Sequence, residues 1–230
     1  MRIVAIVQAR MGSTRLPGKV MIKVLGRPLL YHFIERMKRA KKIDQIVIAT
    51  PDKDENRSII LLANEMGIEV FKGSENNVLD RFYQTAKKYK ADVIVRVTSD
   101  CPLIDASVVD SVIDLFLKGG YDYVSNNIEG SFPHGLDTEV FSFKALEEAH
   151  NNAVTDYDKE HVTPYIRNTS KFVLGNLKCK KDLSGLRWTV DYPEDIAFVQ
   201  KIFEFFEGNE FTMQDTVDYT LGMENRIRFE

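Results

Sequence analysis

The chain has little of what marks a specialised class. Its 230 residues include only two cysteines, Cys101 and Cys179. That is too few for a disulfide framework, no metal-ligand spacing joins them, and both read as reduced thiols. No apolar run approaches about 18 residues, so a membrane-crossing helix is not expected. The first residues enter a short strand ending in charge, unlike a signal peptide, and a soluble cytoplasmic protein is expected. Neither charge sign dominates: 31 basic residues stand against 34 acidic ones, for a net charge of −3. General binding to nucleic acid or to an acidic membrane is therefore not expected, although a local basic pocket is permitted. There is no internal repeat and no low-complexity segment. What remains is 44% hydrophobic and 28% charged, an ordinary globular balance able to fill one domain over 1–230.

The first half alternates. Val- and Ile-rich runs at Arg2–Ala9, Gln45–Thr50, Glu69–Lys72 and Asp92–Thr98 read as strands. Between them, Pro28–Lys41, Asp54–Met66 and Asn77–Tyr89 carry apolar residues at helical spacing, as with Leu29, Leu30, Phe33, Ile34 and Met37. Such alternation predicts a parallel sheet covered by helices on both faces. The second half is less regular. Helices are predicted at Asp105–Lys118, Lys144–Asn151, from Thr155 or Asp156 until Pro164 bends or ends it, from Pro193 to Gly208, and near Thr212–Leu221. Short strands are predicted in "YDYVSNN", "LDTEVFSF", "KFVLGNL" and "LRWTV". The sequence thus reads as one α/β domain whose second half carries an insertion at 121–180.

The first strand runs into "VQARMGSTRLPGK", which places Arg10, Arg15 and Lys19 within ten residues. In open parallel sheets, ligands bind at the carboxyl ends of the strands. Amides freed by Gly12, with these three cations, would suit an anion of several charges such as a triphosphate. Neither the P-loop nor the G-x-G-x-x-G spacing is met. The loop alone reads equally well as a solvated basic turn. Two further constructions bear on it. "VIVRVTSDCPLID" runs a strand into Asp100, with Arg96 inside it, and "LRWTVDYPEDI" repeats the pattern at Asp191. Each aspartate could be a helix cap. Together they are what Mg²⁺ bound to a nucleotide requires, since magnesium takes one or two carboxylates plus phosphate oxygens and water.

These stretches, with "GRPLLYHFIERMKRA", "GSENNVLDRFYQTAKKY", "GLDTEVFSFKALEEA" and "EHVTPYI", resemble the cytidylyltransferase family, nearest to its spore-coat polysaccharide branch of the SpsF type. The resemblance covers nearly the whole chain. It implies a Rossmann-like nucleotide-diphospho-sugar transferase fold with a mostly parallel mixed sheet. It also implies transfer of CMP from CTP to a sugar-like acceptor, and a homodimer. By the same resemblance Arg10, Arg15 and Lys19 would hold the phosphates, with Ala9, Gly12, Ser13 and Arg96 near the nucleotide. Asp100 and Asp191 would hold Mg²⁺, and Arg10, Arg15, Lys19 and Asp100 would carry catalysis. Octulosonate enzymes of the family read R-V-Q-G-D where this chain has Thr98 and Ser99 before Asp100, which leaves the acceptor open.

For the acceptor, His134, Asp137 and Glu139 in "FPHGLDTEVF" offer polar groups, the two carboxylates on alternate residues of a strand. Asn126, Asn127 and Glu160 are further candidates, and His161 could reach the same pocket or a subunit contact. Each could equally be structural. A glycosyltransferase using a preformed nucleotide sugar is the rival activity, since Asp156-Tyr157-Asp158 is a D-x-D. Its place at a helix start favours capping. A noncatalytic nucleotide-sensing protein is the third reading.

Overall fold

The computed structural model describes residues 1–227; residues 228–230 of the expected 1–230 domain lie outside it. Chain order begins with β1 (Ile3–Gln8), the hairpin strands β2 (Lys23–Val24) and β3 (Arg27–Pro28), α1 (Leu29–Met37) and β4 (Gln45–Pro51). Then follow α2 (Arg57–Glu65), β5 (Glu69–Gly73), α3 (Val78–Lys88), β6 (Val93–Thr98) and α4 (Ala106–Leu117). The second half supplies β7 (Tyr123–Ser125), β8 (Glu139–Ser142), α5 (Phe143–Asn152), α6 (Asp156–His161) and α7 (Pro164–Asn168). Last come β9 (Leu174–Asn176), α8 (Pro193–Phe205) and α9 (Met213–Ile227). Among the described residues, no helix is long and apolar enough to cross a membrane.

Seven strands form one sheet in the order β5-β4-β1-β6-β8-β7-β9. β1 pairs in parallel with β4 and β6, and β4 with β5. β8 runs antiparallel to both of its neighbours, and β7 pairs in parallel with β9. This is the mostly parallel mixed sheet, flanked by helices, that the Rossmann-like reading predicts.

The period-two arithmetic of β1 decides the layers. Ile3, Ala5 and Val7 face a core shared with Leu30, Phe33 and Ile34 of α1 and Val109, Val112 and Ile113 of α4. Val4 and Ile6 face the other way, onto Val78, Leu79 and Phe82 of α3 and Leu146 of α5. Each fully buried Leu, Ile or Phe contributes about 1.5–3 kcal/mol. A third cluster, around Trp188, Val190, Phe203 and Phe211, fastens the last quarter of the chain to Leu29 and Leu103.

The structure corrects two readings. "LRWTV" is not a strand of the sheet: its one ladder contact is an isolated bridge from Arg187 to His134. The run is extended because Trp188 donates to the His134 carbonyl at 2.6 Å and Val190 to the Asp100 carbonyl at 2.8 Å, so its partners are loops. The predicted helix Pro28–Lys41 begins at Leu29, because Arg27 and Pro28 close a hairpin turned by Leu25 and Gly26, both at positive φ. Residues 121–180 supply β7, β8 and β9, within the stretches "YDYVSNN", "LDTEVFSF" and "KFVLGNL" expected to be strands.

Candidate active site

A cleft of about 310 Å³ opens over the carboxyl ends of β1 and β6, lined by Gln8 and Thr98 from the strand ends. The loop after β1 forms one wall. It folds back on itself as Gly18 donates to the Met11 carbonyl at 2.8 Å, and Gly18 sits at φ 69°, a left-handed value that suits glycine. That reversal starts the 3₁₀ turn Lys19–Met21 and aims Lys19 into the cleft.

Lys19 is the centre of the arrangement. Its side chain is 11% exposed, and Nζ donates to Asp100 Oδ2 at 2.9 Å, Asp191 Oδ1 at 3.0 Å and the Val190 carbonyl at 2.7 Å. Two aspartates 91 positions apart therefore meet on one ammonium. Arg15 Nη2 reaches Asp191 Oδ1 at 2.8 Å, and Arg187 Nη2 holds Asp191 Oδ2 at 3.0 Å. Burial raises the Asp100 carboxyl pKa, but the Lys19 charge and the hydrogen bonds outweigh it, so the net shift is downward. Arg15 is raised by its contact with Tyr192 and by the Asp191 charge.

Neither aspartate is used as a helix cap. Asp195 Oδ2 accepts the Asp191 and Tyr192 amides at the start of α8, at 2.7 and 2.8 Å. Asp105 Oδ1 accepts the Ser107 and Val108 amides at the start of α4. With both caps supplied by other residues, Asp100 and Asp191 face the cleft. By contrast, Asp158 of the D-x-D sits in the first turn of α6, where its carboxylate accepts the Thr155 hydroxyl and its amide donates back to it.

Among the residues expected at the nucleotide, Arg10, Ser13, Arg15 and Lys19 line the cleft with Asp100 and Asp191. Ala9 is buried at the strand end, and Gly12 sits on the outer side of the loop beside Glu55. Arg96 points away from the cleft floor into a buried ion pair with Glu139, with a long 3.5 Å contact to Gln8. Its register opposite Glu139 on the antiparallel β8 dictates that pairing.

Among the residues expected at the acceptor, Glu160 lines the cleft, together with His161. Glu139 is 3% exposed and also accepts the Tyr123 and Thr163 hydroxyls at 2.6 and 2.7 Å. It does not share a face with Asp137, which precedes β8 and accepts the Gly135 amide at 3.0 Å. Asn126 is buried and stitches its loop to Leu136 and Thr138, and Asn127 bonds Ser125. His134 is exposed, its backbone paired with Leu186 and Trp188. Arg81 of α3 and Arg187 went unnoticed in the sequence. Arg81 had a signal: it interrupts the apolar face formed by Val78, Leu79 and Phe82.

No cluster of three or more His, Cys, Asp or Glu that could hold a metal occurs among the described residues. Asp100 and Asp191 are nevertheless a donor set suited to magnesium, two hard oxygens converging on one cation, because phosphate and water complete its shell in nucleotide sites.

A cytidylyltransferase family profile matches residues 4–210. The chain is 40% identical over 222 residues to an uncharacterized protein of Methanocaldococcus jannaschii, covering 95% of this chain and 90% of that one. It is 34% identical to the spore coat polysaccharide biosynthesis protein SpsF of Bacillus subtilis, covering 88% and 86%. A solved cytidylyltransferase from Leptospira borgpetersenii superposes with a TM-score of 0.94 at 33% identity, covering 98% and 96%.

Proposed function

The chain belongs to the cytidylyltransferase family, and on that premise we propose that it transfers CMP from CTP to a hydroxyl of a sugar or sugar-like acceptor, releasing pyrophosphate. Its place would be in cell-surface or spore-coat polysaccharide biosynthesis in the cytoplasm, with the protein acting as a homodimer. The observation that carries the reading is the convergence of Asp100 and Asp191 on the Lys19 ammonium, with Arg15 on Asp191, in a cleft that Arg10 of the same loop also lines.

The acceptor oxygen attacks the α-phosphorus, the bond to the β-phosphate oxygen breaks, and the hydroxyl proton passes to water. The protein contributes position and charge. Lys19 and Arg15 would offset the negative charge that grows on the leaving pyrophosphate, and Arg10 would add to that field. Lys19 holds the Asp100 carboxyl below its usual range. Arg187 holds the second oxygen of Asp191, fixing the rotation of that carboxylate. Asp100 and Asp191 would hold Mg²⁺, which when bound neutralises the α-phosphate and lowers the acceptor's pKa. Glu160 and His161, which also line the cleft, would face the acceptor.

The test is a pyrophosphate-release screen with Mg²⁺, pairing CTP, UTP, ATP and GTP with sugars, ulosonic acids and phosphorylated alcohols. CTP-dependent release with one acceptor class is expected, reduced by about 100-fold or more in Asp100→Asn and in Asp191→Asn. Near-normal turnover in both variants, or consumption of a preformed nucleotide sugar, would reject the reading.

A further inference from the structure

Arg81 has an environment that no structural role accounts for. It is 1% exposed, yet its side chain lines the cleft. Its stem lies against Gly73, where an added Cβ would come within 3.0 Å of Arg81 Cγ, so the end of β5 is shaped to let this side chain pass. Nη1 donates to the Ser74 carbonyl, the guanidinium's one hydrogen bond among the described residues, and the buried Nε has no partner. Glu75, the nearby acid acting on Arg81, is itself paired with Lys53.

The other charge near Arg81 is of the same sign. Arg10 lines the same cleft and has no carboxylate partner among the described residues. Burial, then the Arg10 charge, lowers the Arg81 pKa to about 10. Lys19 and Arg15 are compensated by Asp100 and Asp191, whereas Arg10 and Arg81 are not. Arg81 packs against Gly73 at the end of β5, Asp100 follows β6, and Arg10 follows β1, which lies between those strands in the sheet.

We infer that Arg81 and Arg10 form a seat for a substrate oxoanion, phosphoryl or carboxylate, at the β5 side of the cleft. A guanidinium with a free Nε edge presents parallel donors that match two oxygens of one anion, and a bound anion relieves the repulsion between the two arginines. The identity of the anion rests on the proposed transfer. It is either the phosphate chain of the nucleotide or the acidic group of the acceptor; the seat itself needs only the geometry.

Calorimetric titration of the intact protein separates these sources. The probes are CTP, pyrophosphate, cytidine, and inorganic phosphate with and without saturating CTP, against Arg81→Gln, Arg81→Lys and the surface variant Arg10→Gln. If the seat serves the nucleotide, Arg81→Gln and Arg10→Gln each weaken CTP and pyrophosphate at least tenfold. Cytidine is then unchanged, phosphate competes with CTP, and the double variant loses little more than either single one. If the seat serves the acceptor, CTP is unaffected and phosphate binds alongside it with the same dependence on both arginines. Lysine at 81 restores only part of the affinity. The seat is refuted if both folded variants bind every anion within twofold of the parent, or if neutral cytidine weakens as much as CTP. Should the parent bind no nucleoside triphosphate while phosphate still depends on Arg81, the transfer reading fails and the seat stands. Arg10→Gln alters an exposed side chain, so the test survives a misfolded Arg81 variant.

Discussion

Replacing Lys19 by methionine keeps the bulk of the side chain and removes one charge from a site holding two carboxylates. Nζ makes three hydrogen bonds, at 2.7, 2.9 and 3.0 Å. Breaking a fully buried pair by deleting one partner costs about 3–5 kcal/mol, because a charge is left without compensation. Here Asp100 is 31% exposed, Asp191 is 17% exposed, and Arg15 and Arg187 remain on Asp191. Screening by water scales the expected loss down to about 2–3 kcal/mol. For a chain of this length each kcal/mol moves Tm by about 2–4 °C, so a drop of about 4–12 °C is expected at pH 7.5. The pH dependence gives the sharper signature. In the parent, the folded-state pKa of Asp100 lies below its ordinary value, so its contribution is present above the unfolded pKa and is lost as pH falls through the folded one. Without the ammonium the lowering influence of Lys19 is lost. Burial, the largest cause, then pushes the folded pKa upward against the bonds from Thr98 and the backbone, so the carboxylate's contribution changes in the opposite direction. The variant's deficit should then shrink as the solution is acidified toward pH 4.5, because protonation removes the uncompensated charge. Millimolar Mg²⁺ should raise the variant's Tm more than the parent's. Calorimetric scans at both pH values decide the matter. A variant within about 1 °C of the parent at pH 7.5, or a deficit independent of pH, would refute the account of Lys19 as the shared counter-charge.

Gly135 sits at φ 108°, and an added Cβ would lie 2.9 Å from the Trp188 carbonyl carbon and 3.0 Å from the Thr189 amide. Gly135→Ala should cost about 2–4 kcal/mol by urea titration, because backbone cannot step aside; a change below about 0.5 kcal/mol would show the contact to be soft. Cys101 is 3% exposed, and burial, then the Asp100 and Asp137 charges, push its thiol well above the usual range. In the native protein at pH 8, iodoacetamide should label the half-buried Cys179 and leave Cys101 intact, with both labelled after unfolding. Equal native labelling would contradict the packed environment.

The alternating first half was legible because each element there declares its own period. Arg2–Ala9, Gln45–Thr50 and Asp92–Thr98 are rich in Val, Ile and Ala with few polar interruptions, as strands buried on both faces require. Helix ends were legible to within a few residues, as where Asn77 caps α3 and Asp105 caps α4. "LRWTV" misled because β-rich composition reports an extended backbone and says nothing of what it pairs with. Glu139 was read as a polar face residue, yet it lies opposite Arg96 in the ladder, a register no local pattern records.

From composition and spacing alone came the alternating α/β order, the basic loop after the first strand, and two aspartates each following an extended run and preceding a proline. These are local properties, set by a few neighbouring residues. Only the folded chain decided that Asp100 and Asp191 share Lys19, that Asp195 and Asp105 take over the capping, and that Arg81 turns from an apolar helix face into the cleft. Those outcomes depend on which residues far apart in the chain the sheet order brings to one edge. Charge compensation is likewise a sum over neighbours in space, which distance along the chain does not encode.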